Sequence, residues 1–234
     1  MGYADRVVPL SPQLMEDSRR MGVKDNKLVY IQNGVDLSEV EEQRQKANPL
    51  KNVTGEKRIG FIGQMISRKN IYDILDIFEN LSAKHKNLRL IFVGDGEQRT
   101  ELETYAEKLD CHAKIDFLGF RDDRLELLQS FDLFVMTSTL EGIPRCLMEA
   151  CAMGVPVAAY DIPGIDQLIT HEKTGLLATL GDTKTLTLYW EKLLFDNQSA
   201  TCLAENARQY VQTHYSAQRM ADEYLELFTH LTAN

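Results

Sequence analysis

The chain has 234 residues, 44% hydrophobic and 26% charged, with a net charge of −9. These proportions describe a globular chain with one good-sized core, or one domain plus an appendage, and argue against disorder except at the ends, and the acidic balance argues against a nucleic-acid groove or an anionic-membrane face. The cysteines, Cys111, Cys146, Cys151 and Cys202, show neither metal-ligand spacing nor a disulfide framework, which fits a reduced cytoplasmic interior, and no apolar run reaches the roughly twenty residues of a membrane span. Cys146 and Cys151 read as small buried apolar side chains rather than nucleophiles.

In chain order, Val7, Val8 and Leu10 predict a short strand ending at Ser11-Pro12, followed by a helix from Pro12 to Met21. Lys27 to Ile31 predicts a strand, and Gln32-Asn-Gly-Val-Asp36 a turn, because Asn-Gly accepts positive φ. Glu39 to Asn52 is polar and reads as an exposed helix or linker, with Pro49 inside it. From Arg58 a regular alternation begins. The strands are Ile59–Ile62, Leu88–Val93, Ile115–Leu118, Leu133–Met136 and Val155–Tyr160. Between them Ile71, Ile74, Leu75, Phe78 and Leu81 form one apolar helix face. Leu102, Tyr105, Ala106 and Leu109 form another, and Leu125 and Leu128 a shorter one. After Gly175-Leu-Leu177 the chain turns helical, over Asp182–Phe195, Ala200–His214 and Ala217–Leu231. Continuous apolar strands alternating with helices predict an α/β fold, a doubly wound parallel sheet covered on both faces with right-handed crossovers and C-terminal helices.

In such a sheet ligands bind beyond the carboxyl ends of the strands. Glycine and polar residues gather in those loops: Gly63 to Asn70, Gly94 to Glu97, Gly119 to Asp123, Thr137 to Pro144 and Asp161 to Gly164. Arg68-Lys69 stands at the start of a helix, where free amides and a partial positive charge favour a phosphate; the competing reading is a solvated basic pair. In Glu141-Gly-Ile-Pro-Arg-Cys-Leu-Met-Glu149, Pro144 suits a first helical turn, and the amides from Gly142 to Arg145 face the loop mouth. A carboxylate can grip a vicinal diol; a capping glutamate and a helix-surface glutamate are the plain alternatives. Gly94-x-Gly96 lacks the third glycine of a dinucleotide fingerprint. Asp122-Asp123 reads as an acidic helix cap before a metal pair. The histidines read as surface residues, and Trp190 as core packing.

The order of these loops resembles glycosyltransferase family 4, the retaining GT-B enzymes. The resemblance rests on Ser138-x-x-Glu-Gly142 leading into Glu141 and Glu149, then Ala150-Cys-Ala-Met-Gly-Val-Pro-Val157, Pro163-Gly164 and Thr174-Gly-Leu-Leu177. Ile91-Phe-Val-Gly-Asp-Gly96 and Phe117-Leu-Gly119 also fit, and Ile31-Gln-Asn-Gly-Val-Asp36 resembles the segment that leaves the first domain for the second. The resemblance implies the donor-binding, Rossmann-like C-terminal half of a GT-B fold. It divides the chain into a first-domain remnant with linker (1–50), a nucleotide-sugar domain (51–216) and a helix packing back on a missing first domain (217–234).

The implied roles are specific. Glu149 holds ribose hydroxyls, and Glu141 lies against the transferred sugar. Lys69, with Gly63 and Arg68 in the same loop, holds the diphosphate. Gly142, Ile143, Pro144 and Arg145 contact sugar and phosphate, and the loop at Gly119 faces the base. Catalytic weight falls on Glu141 and Lys69. The implied substrate is a UDP-, GDP- or ADP-sugar, transferred as a hexose to a sugar, polysaccharide or lipid-linked acceptor, with no metal or other cofactor required. The implied setting is cytoplasmic, peripheral at the inner membrane face when full length. Gln64 stands where the family has an arginine, and Gln167, beside Asp166, where it has a glutamate. A non-catalytic binding module, a sugar-nucleotide epimerase and a glycosyl phosphorylase are the rival functions. Met220, Tyr224, Leu227 and Phe228 of the last helix are expected to be partly orphaned.

Overall fold

The computed structural model describes residues 4–48 and 55–232. The predicted linker around Pro49 and the boundary between residues 50 and 51 lie outside the described residues. One parallel sheet of six strands organises the rest, in the order β3-β2-β1-β4-β5-β6. Its strands are β1 (Lys57–Ile62), β2 (Leu88–Val93), β3 (Ile115–Phe117), β4 (Leu133–Met136), β5 (Val157–Asp161) and β6 (Leu176–Thr179). This is the Rossmann-like α/β arrangement that the alternation predicts. β1 lies between β2 and β4, so the strand order reverses there.

The helices follow from the apolar periodicity. In α3 (Ile71–Lys84) the predicted stripe of Ile71, Ile74, Leu75, Phe78 and Leu81 is fully buried in the hydrophobic core. α4 spans Arg99–Ala106, α5 Arg124–Gln129, α6 Arg145–Met153, α7 Thr183–Phe195, α8 Asn197–His214 and α9 Ala217–Thr232. Trp190 on α7 is completely buried, as core packing requires. Close approach is set by small residues. A Cβ on Gly60 of β1 would fall 1.9 Å from the Phe131 ring, so the ring can cover the strand only because the side chain is missing.

Several local expectations fail, for identifiable reasons. Neither Val7–Leu10 nor Lys27–Ile31 is a strand. Val7 and Leu28 form one isolated parallel bridge, through Val7 N to Lys27 O at 2.8 Å and Val29 N to Val7 O at 3.0 Å. Apolar β-branched sequence does not extend a ladder without a second partner to pair with. α1 (Pro12–Arg20) forms as predicted, capped by the Ser11 hydroxyl. α2 (Leu37–Gln45) is a helix, though Val40 is buried. Gly34 does not have positive φ. It is needed instead because a Cβ there would lie 2.4 Å from Ser216 O, where residues 34–36 run beside the start of α9. β6 was not foreseen: Leu176 to Thr179 is only four residues long and directly follows a Thr-Gly pair.

Candidate functional site

The loops after β1 and β4 meet where the strand order reverses. The β1 loop is first knit to its neighbours by backbone hydrogen bonds. Gly63 N donates to Val93 O (2.9 Å), Met65 N to Asp95 O (2.9 Å), Gln98 N to Met65 O (3.0 Å) and Gly94 N to Gly119 O (2.7 Å). The packing leaves no room for side chains: a Cβ on Gly94 would sit 2.0 Å from Gly63 O, and one on Gly96 2.4 Å from Met65 O. These glycines permit close backbone layering rather than a phosphate fingerprint.

The chain then makes a one-turn 3-10 helix, Ser67–Lys69, and enters α3 through Asn70, a left-handed residue at φ +48°. Lys69 is buried, and its Nζ donates to Glu141 Oε1. Arg68 Nη1 donates to Glu141 Oε2 (3.0 Å) and to Leu140 O (3.0 Å). Only 5% of the Glu141 side chain is exposed, and 41% of Arg68. A carboxylate this buried requires such partners, since an unpaired charge away from water is costly.

From Glu141 the chain runs to α6. Pro144 is the N-cap residue, one position before the predicted first turn, and no side chain caps the helix. The first amides of α6 therefore have no acceptor within the helix. Gly142 is exposed, and a Cβ there would meet nothing within 4 Å. Ile143 and Pro144 are buried, whereas Arg145 is exposed.

Glu149, one helical turn beyond Arg145, is buried rather than on the helix surface. Arg124 clasps it, with Nη2 donating to Oε1 (2.9 Å) and Nε shared between both oxygens (3.2 Å each), and Arg145 Nε donates to Oε1 (2.9 Å). Glu149 Oε2 receives only the shared Arg124 Nε, so it keeps accepting capacity. The Arg124 guanidinium is raised above its usual range chiefly by this bond to Glu149, and it also reaches Glu39 Oε2 of α2 at 3.4 Å. Cys146 lies among all three predicted groups. Burial pushes its thiol up to about 11, while Lys69 pulls it down and Glu141 and Glu149 push it further up.

Arg124 was not singled out from the sequence, and nothing there announces it: it lies 25 residues from Glu149. Arg99 was missed as well; its Nη1 lies 2.8 Å from where a Cβ on Gly119 would be, and it pairs with Asp95 (3.0 Å) and Glu103 (2.8 Å). Asp123 occupies the N-cap position of α5, but its carboxylate bonds no helix amide and pairs with Arg121 instead. Gln64 is exposed, and Gln167 offers its carbonyl to Tyr215 OH at 2.8 Å. Among the described residues no group of three or more His, Cys, Asp and Glu side chains is placed to hold a metal ion.

Known proteins share this fold. The family model for glycosyl transferases group 1 matches residues 41–210, and the chain belongs to that family. It is 28% identical over 166 residues to the lipopolysaccharide core biosynthesis glycosyltransferase LpsE of Rhizobium meliloti, covering 71% of this chain and 48% of that protein. It is 27% identical over 230 residues to the N-acetyl-alpha-D-glucosaminyl L-malate synthase of Bacillus anthracis, covering 96% and 59%. The chain thus spans about half the length of these relatives. Among solved structures, Anabaena Alr3699/HepE in complex with UDP-glucose superposes with a TM-score of 0.82 at 25% identity, over 96% of this chain and 64% of that one. A Rickettsia africae glycosyltransferase reaches 0.88 at 20% identity, over 99% and 64%.

Proposed function

We propose that this chain is the donor-binding half of a retaining glycosyltransferase of family 4, which takes a hexose from a nucleoside diphosphate sugar and passes it to an acceptor hydroxyl. The observation that carries the reading is the meeting of Lys69, Arg68 and Glu141 across the point where the strand order reverses, beside the uncapped end of α6. In this structure both Glu141 oxygens accept from the two cations. A diphosphate offers those cations a stronger acceptor. Lys69, Arg68 and the α6 amides then stabilise the departing diphosphate, and the Glu141 carboxylate turns toward the sugar, which it positions by hydrogen bonds. A covalent role for Glu141 is not invoked, because this reading sets a single carboxylate against the sugar whereas glycosidases generally use a pair.

Glu149 Oε2 receives the ribose hydroxyls, with Arg124 holding the carboxylate in place. Gly63, Gly119 and residues Gly142, Ile143, Pro144 and Arg145 line the remainder of the donor site. The acceptor, a sugar, polysaccharide or lipid-linked sugar, is bound by a further N-terminal half, against which α9 packs. Leu225 and Phe228 on that helix are exposed, and Met220, Tyr224 and Leu227 are only partly covered, which supports this placement.

The test is a thermal-shift panel of UDP-, GDP- and ADP-sugars against the chain and its Glu149→Ala variant. UDP-sugars head the panel because the Anabaena protein was solved with UDP-glucose. A bound donor raises the melting temperature by mass action. One nucleotide class should stabilise the parent chain and fail to stabilise Glu149→Ala. A panel without any stabilisation, or an unaffected variant, would overturn the assignment.

A further inference from the structure

The backbone that carries Lys69 to Glu141 is held from two sides. On one side the β4 loop takes its carbonyls. Thr139 N donates to Arg68 O (2.8 Å), and Thr137 Oγ1 donates to Lys69 O (3.1 Å) and Asn70 O (2.8 Å). On the other side stands a part-buried polar chain. Asn70 Nδ2 donates to Asp73 Oδ2 (2.7 Å), and Tyr160 OH donates to the same oxygen (2.6 Å). Tyr160 lies on β5 and is completely buried, so its hydroxyl is fixed in direction. Asn70 adopts a left-handed conformation that side-chain-bearing residues rarely take, and its side-chain amide donates a hydrogen bond to the Asp73 carboxylate from that conformation. The three residues thus tie the end of β5 to the residue immediately after Lys69.

We propose that Asp73 and Tyr160 are positioning residues that, through Asn70, set Lys69 against the diphosphate of the donor. The inference rests on the reading of the site given above and adds a determinant of phosphate grip that lies outside the pocket. Tyr160 is too deep to touch a ligand, and Asp73 spends Oδ2 on Tyr160 and Asn70. Their effect therefore reaches the donor only by way of the Lys69 backbone. A hydrogen bond from a phenol to a carboxylate is of the stronger, charge-assisted kind, so its loss should be felt at the next residue that depends on it.

The distinguishing measurement is calorimetric titration of the chain with UDP and, separately, with uridine, which lacks the phosphates. Four proteins are compared: the parent, Tyr160→Phe, Lys69→Ala and the double variant. Tyr160→Phe keeps the ring and removes only the hydroxyl. UDP affinity should fall about tenfold in Tyr160→Phe, with uridine affinity held within about twofold. In the Lys69→Ala background the further loss from Tyr160→Phe should vanish to within about twofold, the signature of two residues acting as one unit. A purely structural role for Tyr160 predicts equal losses for UDP and uridine, or the same loss with and without Lys69, and either result overturns the proposal. So does unchanged UDP affinity in Tyr160→Phe. If that variant does not fold, Asp73→Ala, which removes the oxygen that accepts both bonds, should show the same selective loss of UDP. Failure of the parent chain to bind UDP, uridine or any other nucleoside diphosphate would instead remove the donor-site reading itself, and the positioning role with it.

Discussion

Gly164 and Gly142 meet backbone to backbone: a Cβ added to Gly164 would fall 1.6 Å from the Gly142 carbonyl oxygen. Gly164 has a φ of +95°, in the region that favours glycine. The loop after β5 thus braces the loop that carries Glu141, and the brace works only while residue 164 has no side chain.

Gly164→Ala should therefore destabilise the protein by at least about 3 kcal/mol, from combined overlap and backbone strain. Gly181 is the control. It has a φ of +81° but open space around it, so Gly181→Ala should cost only about 1 kcal/mol. Urea unfolding of both variants measures the difference. Equal midpoints would mean that the β5 loop yields freely and does not brace Glu141.

Glu141→Gln separates positioning from binding in the proposed enzyme. The amide keeps the shape but withdraws the negative charge that occupies Arg68 and Lys69. Turnover of the protein with its acceptor-binding half should fall by about a hundredfold or more. UDP affinity should hold or tighten, because the cations lose an internal competitor. Steady-state kinetics beside calorimetry reads both quantities, and unchanged turnover would remove Glu141 from the mechanism.

Three helix-capping aspartates set part of the acid stability. Asp36 is held below its usual range first by the backbone amide of Glu39. Asp182 is lowered first by the Thr185 side chain, and Asp196 by the Ser199 side chain. Each has a folded pKa below its unfolded value, so the unfolded chain binds more protons in that window. The stabilisation is present above about pH 4, the ordinary aspartate range, and is lost as the pH falls through the depressed values. Replacing all three with Asn, which caps without titrating, should flatten the dependence of urea midpoint on pH below about pH 5. An unaltered slope would place the acid sensitivity elsewhere.

The thiols should report burial directly. Burial pushes Cys151 up to about 12 and Cys146 up to about 11, and Cys111 is raised by the same cause. Cys202 alone among the four is exposed. At neutral pH Ellman's reagent should titrate Cys202 rapidly and the others only slowly or after unfolding, since the thiolate is the reactive form. Rapid reaction of Cys151 would show that α6 opens readily.

Where the local pattern was strong, the sequence was sufficient. The apolar stripe of α3 buries as its spacing requires, and five of the strands lie where the apolar runs predict, because continuous apolar segments have no other way to leave water. Where structure depends on a distant partner, the sequence misled. Lys27 to Ile31 has strand composition but only a single bridge to Val7, and Gly34 owes its place to Ser216 rather than to a turn.

The candidate site divides along the same line. Glu141, Glu149, Arg68 and Lys69 were legible from loop order and from resemblance. The partnership of Arg124 with Glu149 was not, nor was that of Tyr160 with Asp73, because each joins residues on separate elements.

By itself the sequence determined that a parallel sheet would form and that glycine and polar residues would gather in the loops at one edge. Apolar periodicity and glycine placement are local properties that the chain carries with it. Only the tertiary structure decided that β1 lies beside β4, and so that Lys69 meets Glu141. Strand order is settled by the packing of all the helices against the sheet at once, a global balance that no single segment encodes.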